Sequence, residues 1–152
     1  MPAEDGSGSF IPHNPPKRPT RIKNDREFQD ILAQLNNYKL EKLYYSLCMI
    51  RFSSHAPFLF VGAWAFIESL CRACGSNTDF VAFFSNQKLH DLGVNKEDGK
   101  NIPQALRRIS DSGNTTKHNQ LDASFGCEQL ENDIDCITPV LKKLIQSKVA
   151  SG

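Results

Sequence analysis

The residues of this chain best suited to chemistry fall in one stretch, Ala105 to Asn119, which reads ALRRISDSGNTTKHN. It gives a helical pattern with paired arginines, Arg107 and Arg108, a break at Gly113, and then Asn114 and His118 four residues apart. Histidine changes charge near neutral pH and so serves as a general acid or base. Arginine supplies a permanent cation that can stabilise charge developing on an oxyanion or a phosphate. If the chain resumes helical form at Asn114, then Asn114 and His118 share a face, and Asn114 is also a natural cap. The plainer alternative is a histidine without chemistry, in a segment that only caps and locks a helix junction.

Two further features bear on chemistry. Glu68 is the one charge in Phe58 to Leu70, a stretch of thirteen residues of which ten are apolar. A carboxylate there is costly unless paired. Either it reaches an edge and is solvated or paired with Arg72 at i+4, or it holds an arginine or amide of another helix in place. Cys71 and Cys74 have CxxC spacing, but no second pair supplies the other two ligands that zinc takes, and a redox motif of this kind opens a helix after a strand instead of closing one. They read as core cysteines, and neither a metal nor a cofactor is expected.

The apolar patterns that must position these residues are helical throughout. Asn24 or Asp25 caps a first helix with Phe28, Ile31, Leu32 and Leu35 at i, i+3, i+4, i+7, ending near Asn36. A second begins about Lys39 and forms an antiparallel hairpin with it. The central helix, Ala56 to Cys74, has Pro57 in its first turn and Gly75 as its left-handed stop. Being apolar on every side, it is expected to be covered all round. A short helix follows from Asp79 with Phe80, Phe83 and Phe84 on one face. Gln87 to Lys100 reads as a loop with a helical turn. Asn101 caps a helix that should end before Gly113, and a last helix carries Leu130, Ile134, Ile137, Leu141, Leu144 and Ile145, kinked at Pro139. The expectation is an all-α bundle of about five helices around a central apolar helix.

Residues 1–23 hold five of the eight prolines and end in a basic cluster, Lys17, Arg18, Arg21 and Lys23. They read as an extended or disordered tail or linker before a helical domain at 24–150. The net charge of +1, from 18 basic and 17 acidic residues, gives no overall footprint of the kind that duplex-binding proteins present to phosphates. The five cysteines are odd in number and follow no secretory pattern, which suggests a cytoplasmic protein. The longest apolar run, Ala56 to Ile67, is short of the ~20 residues of a membrane span, so no membrane is expected.

The order of a helical hairpin, an apolar helix with WAFIESL, and a later helix running into L-R-x-x-x-x-x-G-N-x-x-x-H resembles the HEPN superfamily. The match is carried by Phe58 to Leu70 and Leu106 to His118. The resemblance implies a bundle of four to five helices that dimerises, and either a metal-independent ribonuclease of toxin and defence systems or a non-catalytic RNA-binding or scaffolding module. His118 matches the family's histidine and Asn114 its polar position. The catalytic arginine, which precedes the histidine by four to six intervening residues, falls on Gly113, Ser112 or Asp111, and the nearest upstream arginine is Arg108.

That departure sets the expectation. The first reading is a HEPN-like binding or assembly module, a homodimer associated with a larger nucleic-acid-processing or defence protein, with Asn114, Lys117 and Arg107 as the RNA-facing residues. The second is a metal-independent endoribonuclease in which His118 is the acid or base, Arg108 the cation and Glu68 the supporting carboxylate. The third is a purely structural helical domain.

Overall fold

The computed structural model describes residues 19–118 and 126–152. Most of the tail expected at 1–23 lies outside them. The fold is all-α, with no strand among the described residues. In chain order the helices are α1 (Arg26–Ala33), α2 (Tyr38–Met49), α3 (Phe52–Ala73), α4 (Phe80–Phe83), α5 (Asn86–Asp91), α6 (Lys96–Gly99), α7 (Ile102–His118) and α8 (Cys127–Ser151). Five of them, α1, α2, α3, α7 and α8, have eight residues or more and build the bundle. The three short ones form a connection at one end.

Local chemistry sets most of the boundaries. Asp25 Oδ1 accepts from the Phe28 amide at 3.0 Å and starts α1; Asn37 does the same for α2, Asp79 for α4 and Ser85 for α5. Each satisfies an amide that the first turn leaves without a partner. Between α1 and α2 the chain reverses through Asn36, whose φ is +52°. The regular part of α3 begins after His55, which is non-helical, so that Pro57 sits in a first turn where its missing N–H costs nothing. The helix ends at Gly75, φ +102°. There the Gly75 amide donates to the Arg72 carbonyl and the Ser76 amide to the Cys71 carbonyl at 2.9 Å, the paired bonds of a Schellman stop.

The core runs through the middle of the bundle. α3 packs most extensively on α7, then on α2, and α8 lies against α7 and α1. Leu59, Phe60, Ala63, Phe66, Ile67, Leu70 and Cys71 are the buried residues of α3. Phe28, Tyr44 and Phe66 form an aromatic cluster with ring centroids 4.9 to 6.0 Å apart, and the Tyr44 hydroxyl accepts from the Asp25 amide at 2.9 Å. Lys142 of α8 reaches the carboxylates of Asp25 and Glu27, 3.3 Å from each, and ties the start of α1 to the last helix.

Four expectations need correction. α3 is central but not covered all round: Phe58 is 71% exposed, and Val61, Gly62, Trp64 and Ala65 are half-buried. By length and composition α3 could cross a bilayer, yet its buried face is the core of this bundle. The folded unit begins before Asn24, because Ile22 is buried in the core and the Thr20 carbonyl accepts from the Phe52 amide at 2.9 Å. The stretch from Gln87 to Lys100 holds two short capped helices, α5 and α6.

The fourth correction concerns Gly113. It does not break a helix, because α7 continues through it to His118. The roughly 1 kcal/mol by which glycine disfavours a helix interior is outweighed by the close packing this position allows.

Candidate functional site

The motif residues all lie on α7, and the helix sorts them. Ile102, Ala105, Leu106, Ile109 and Gly113 form the buried face. Arg107 and Asn114, seven residues apart, are exposed and, at 100° per residue, lie on one face with Asp111 between them. The helical backbone puts His118 in register with that face, four residues beyond Asn114. The side chains of Lys117 and His118 lie outside the described residues. Asn114 does not cap a new helix; it sits inside α7, with its Nδ2 3.5 Å from Ser110 Oγ.

Gly113 is packed against Trp64 of α3. A Cβ built on it would stand 2.8 Å from Trp64 Cγ and closer still to Cβ, nearer than carbon atoms pack without displacement. Of the three positions where the resemblance would put an arginine, Gly113 is thus occupied by the close approach of two helices, while Ser112 is half-buried and Asp111 exposed.

Arg108 points elsewhere. Its Nη2 donates to Asp133 Oδ1 at 2.7 Å and its Nε to Oδ2 at 3.0 Å, a two-pronged pair between α7 and α8. Asp133 is buried, with 4% of its side chain exposed against 48% for Arg108, and Gln129 Nε2 donates to the same Oδ1 at 3.1 Å. The hydrogen bonds to Asp133 raise the guanidinium's pKa above its already high ordinary value. A hollow of about 110 Å³ opens beside this pair, lined in part by Phe60, Ser112 and Gln129. It is well below the roughly 300 Å³ at which small-molecule sites begin.

The carboxylate that holds Arg108 is therefore Asp133, not Glu68. Glu68 is half-buried one turn beyond Trp64, with Oε1 shielded from solvent. Its charge is felt at Cys71, whose thiol is pushed up first by burial, then by Cys74 and Glu68. Burial raises Cys74 as well, which moves both cysteines away from the thiolate that ligates metals or exchanges disulfides.

Ten residues of helix separate Arg108 from His118, about 15 Å along the axis at 1.5 Å per residue. The structure thus brings Arg107 and Asn114 onto one exposed face and puts Arg108 in a structural ion pair. Asp133 was legible only indirectly: it lies three residues after Leu130 and four before Ile137, a carboxylate on an otherwise apolar stripe. Such a residue asks for a buried partner, although its identity lies 25 residues away. No family model matches this chain, and no curated protein or solved structure matches it either.

Proposed function

We propose that this chain is a HEPN-like helical module that binds or assembles and does not cleave, working as a homodimer in association with a larger nucleic-acid-processing or defence protein. The observation that carries the reading is Gly113 seated against Trp64. No arginine spaced for catalysis with His118 is present, since 111, 112 and 113 are Asp, Ser and a Gly with no room for a side chain, and Arg108, the nearest upstream one, is committed to Asp133. Arg107 and Asn114 on their common exposed face form the start of an RNA-facing surface that Lys117 and His118 would extend.

Assembly finds support in α2. Tyr38, Tyr45 and Met49 are 74%, 52% and 48% exposed and fall at i, i+7, i+11 on one helix face. Lys42 lies between the two tyrosines with its ammonium 6.0 Å from the Tyr45 ring centroid, and exposed aromatic side chains on one helix face commonly mark an interaction site. The occupant proposed for it is a second copy of the chain.

The ribonuclease reading asks Arg108 and His118, about 15 Å apart along one helix, to meet at a single phosphate, and no contact of Arg108 favours it. The decisive experiment measures oligomeric state, RNA affinity and RNA cleavage on the same purified chain. A dimer that binds RNA and leaves it intact is expected, with Arg107→Ala weakening RNA binding and Tyr45→Lys with Met49→Lys yielding monomer. A monomer at high concentration that binds no RNA would refute the proposal, and cleavage lost in His118→Ala would replace it with the enzyme.

A further inference from the structure

The short helices α5 and α6 border an open cleft of about 470 Å³, a volume within the range of small-molecule sites. It adjoins the start of α7, at the opposite end of that helix from His118. The argument for a ligand there comes from how α6 distributes its charges. The sequence between Asn86 and Lys100 alternates cations with Asp91, Glu97 and Asp98, and read linearly it is nearly neutral. In three dimensions the signs separate.

His90, Lys96 and Lys100 line the α5–α6 cleft together with the amides of Asn86 and Asn95, and no carboxylate lines it. Asp91 accepts from Gln87 Nε2 at 2.8 Å, and Asp98 accepts from Asn95 Nδ2 at 2.9 Å. Glu97 and Asp98 face a second cleft, against α8, which they share with Lys143. Lys96 and Lys100 stand four residues apart, and neither has an ion-pair partner among the described residues. Two lysines on a wall that no carboxylate lines repel one another, and an anion relieves that repulsion.

The floor is apolar, formed by Leu89, which is buried, and Val94. Gly99 keeps it open: a Cβ there would lie 3.5 Å from Val94 Cγ1 and 3.9 Å from Leu89 Cδ1. The cleft therefore offers a cationic wall beside an apolar surface.

We infer that the α5–α6 cleft binds a phosphate monoester carried on a flat or apolar body of about mononucleotide size, with Lys96 and Lys100 on the phosphate and the body against Leu89 and Val94. Lysine suits the phosphate as a mobile point charge. This site is separate from the exposed face of α7, and its test is independent of RNA binding there.

The experiment titrates the full chain with adenosine 5′-monophosphate, adenosine and inorganic phosphate, following backbone amide shifts by NMR. The monophosphate is expected to perturb Leu89, Val94 and the 96–100 amides and to bind at least about tenfold more tightly than either fragment. Lys96→Ala with Lys100→Ala should weaken it about tenfold or more with the melting temperature unchanged, and Gly99→Leu, which fills the floor, should weaken it about as much. Both lysines are exposed, so the lysine variant reads binding without a folding defect even if Gly99→Leu is destabilised. Equal affinity for adenosine, unchanged binding by the lysine variant, or no shifts at millimolar monophosphate would overturn the inference. Tighter binding of a 5′-phosphorylated dinucleotide would overturn the assigned ligand size.

Discussion

Arg108 and Asp133 form a two-pronged ion pair between α7 and α8, 2.7 Å at its shortest, in which the carboxylate is buried and the guanidinium half in water. The asymmetry of burial predicts an asymmetry of cost. Removing the cation leaves a buried carboxylate with only Gln129, so Arg108→Met should destabilise by about 3 kcal/mol. Asp133→Ala leaves an arginine that water can solvate and should cost about 1 to 2 kcal/mol. Urea denaturation of the two variants checks the order, and a larger loss for Asp133→Ala would contradict it.

Gly113 makes a prediction opposite to helix propensity. Gly→Ala in a helix interior ordinarily stabilises by up to about 1 kcal/mol, but here the new methyl overlaps Trp64. Gly113→Ala should destabilise by about 1 to 3 kcal/mol net, measured by chemical denaturation. A stabilised variant would show that α3 and α7 separate without cost.

Asp25 gives a pH-dependent contribution. The Phe28 amide, more than Lys142, holds its carboxyl below the ordinary 3.8 while desolvation opposes. A depressed folded pKa means that the stabilisation is fully present above the unfolded value and is lost as pH falls through the folded one. Asp25→Ala should therefore cost about 1 kcal/mol at pH 7. Its melting temperature should converge with that of the unmodified chain once the pH is well below the carboxylate range.

The cysteines should divide by burial. Cys48, Cys71 and Cys74 are buried and Cys127 and Cys136 half-buried, and all five thiols are raised, chiefly by desolvation. A thiol reagent at mildly alkaline pH should label Cys127 and Cys136 first, with the other three following only on unfolding. Mass spectrometry of partly labelled protein reads the order.

Ile22 tests where the folded unit starts. It is 3% exposed, so Ile22→Ala should cost about 2 kcal/mol or more, whereas a residue in a free linker would cost nothing measurable. Equilibrium unfolding distinguishes the two.

The fold was legible where the signal is local. Asp25 and Gly75 cap or stop their helices through groups three to five residues away, a distance at which sequence pattern speaks directly. Asn114 and His118 share a helical register as their spacing implied, although through an unbroken α7 and not through a helix restarting at Asn114. What escaped depends on contacts between distant segments. Gly113 reads as a breaker until Trp64 is placed beside it, and Arg108 reads as a free cation until Asp133, 25 residues on, claims it. Ile22 looks like part of a polar tail because a single apolar residue carries no period.

The contact between Gly113 and Trp64 also fixes the order in which this sequence can change. An arginine at 113 collides with the indole, so a side chain of any size is reachable at that position only after Trp64 has become small. Trp64→Ala alone, in turn, leaves a void between α3 and α7 of the kind that costs about 3 kcal/mol or more. Each single step should lower stability from the present pair, and the coupling between the two positions is what a double-mutant cycle would read directly. A chain carrying this glycine and tryptophan is thereby held by packing to a residue without a side chain at 113, whatever acts on its surface.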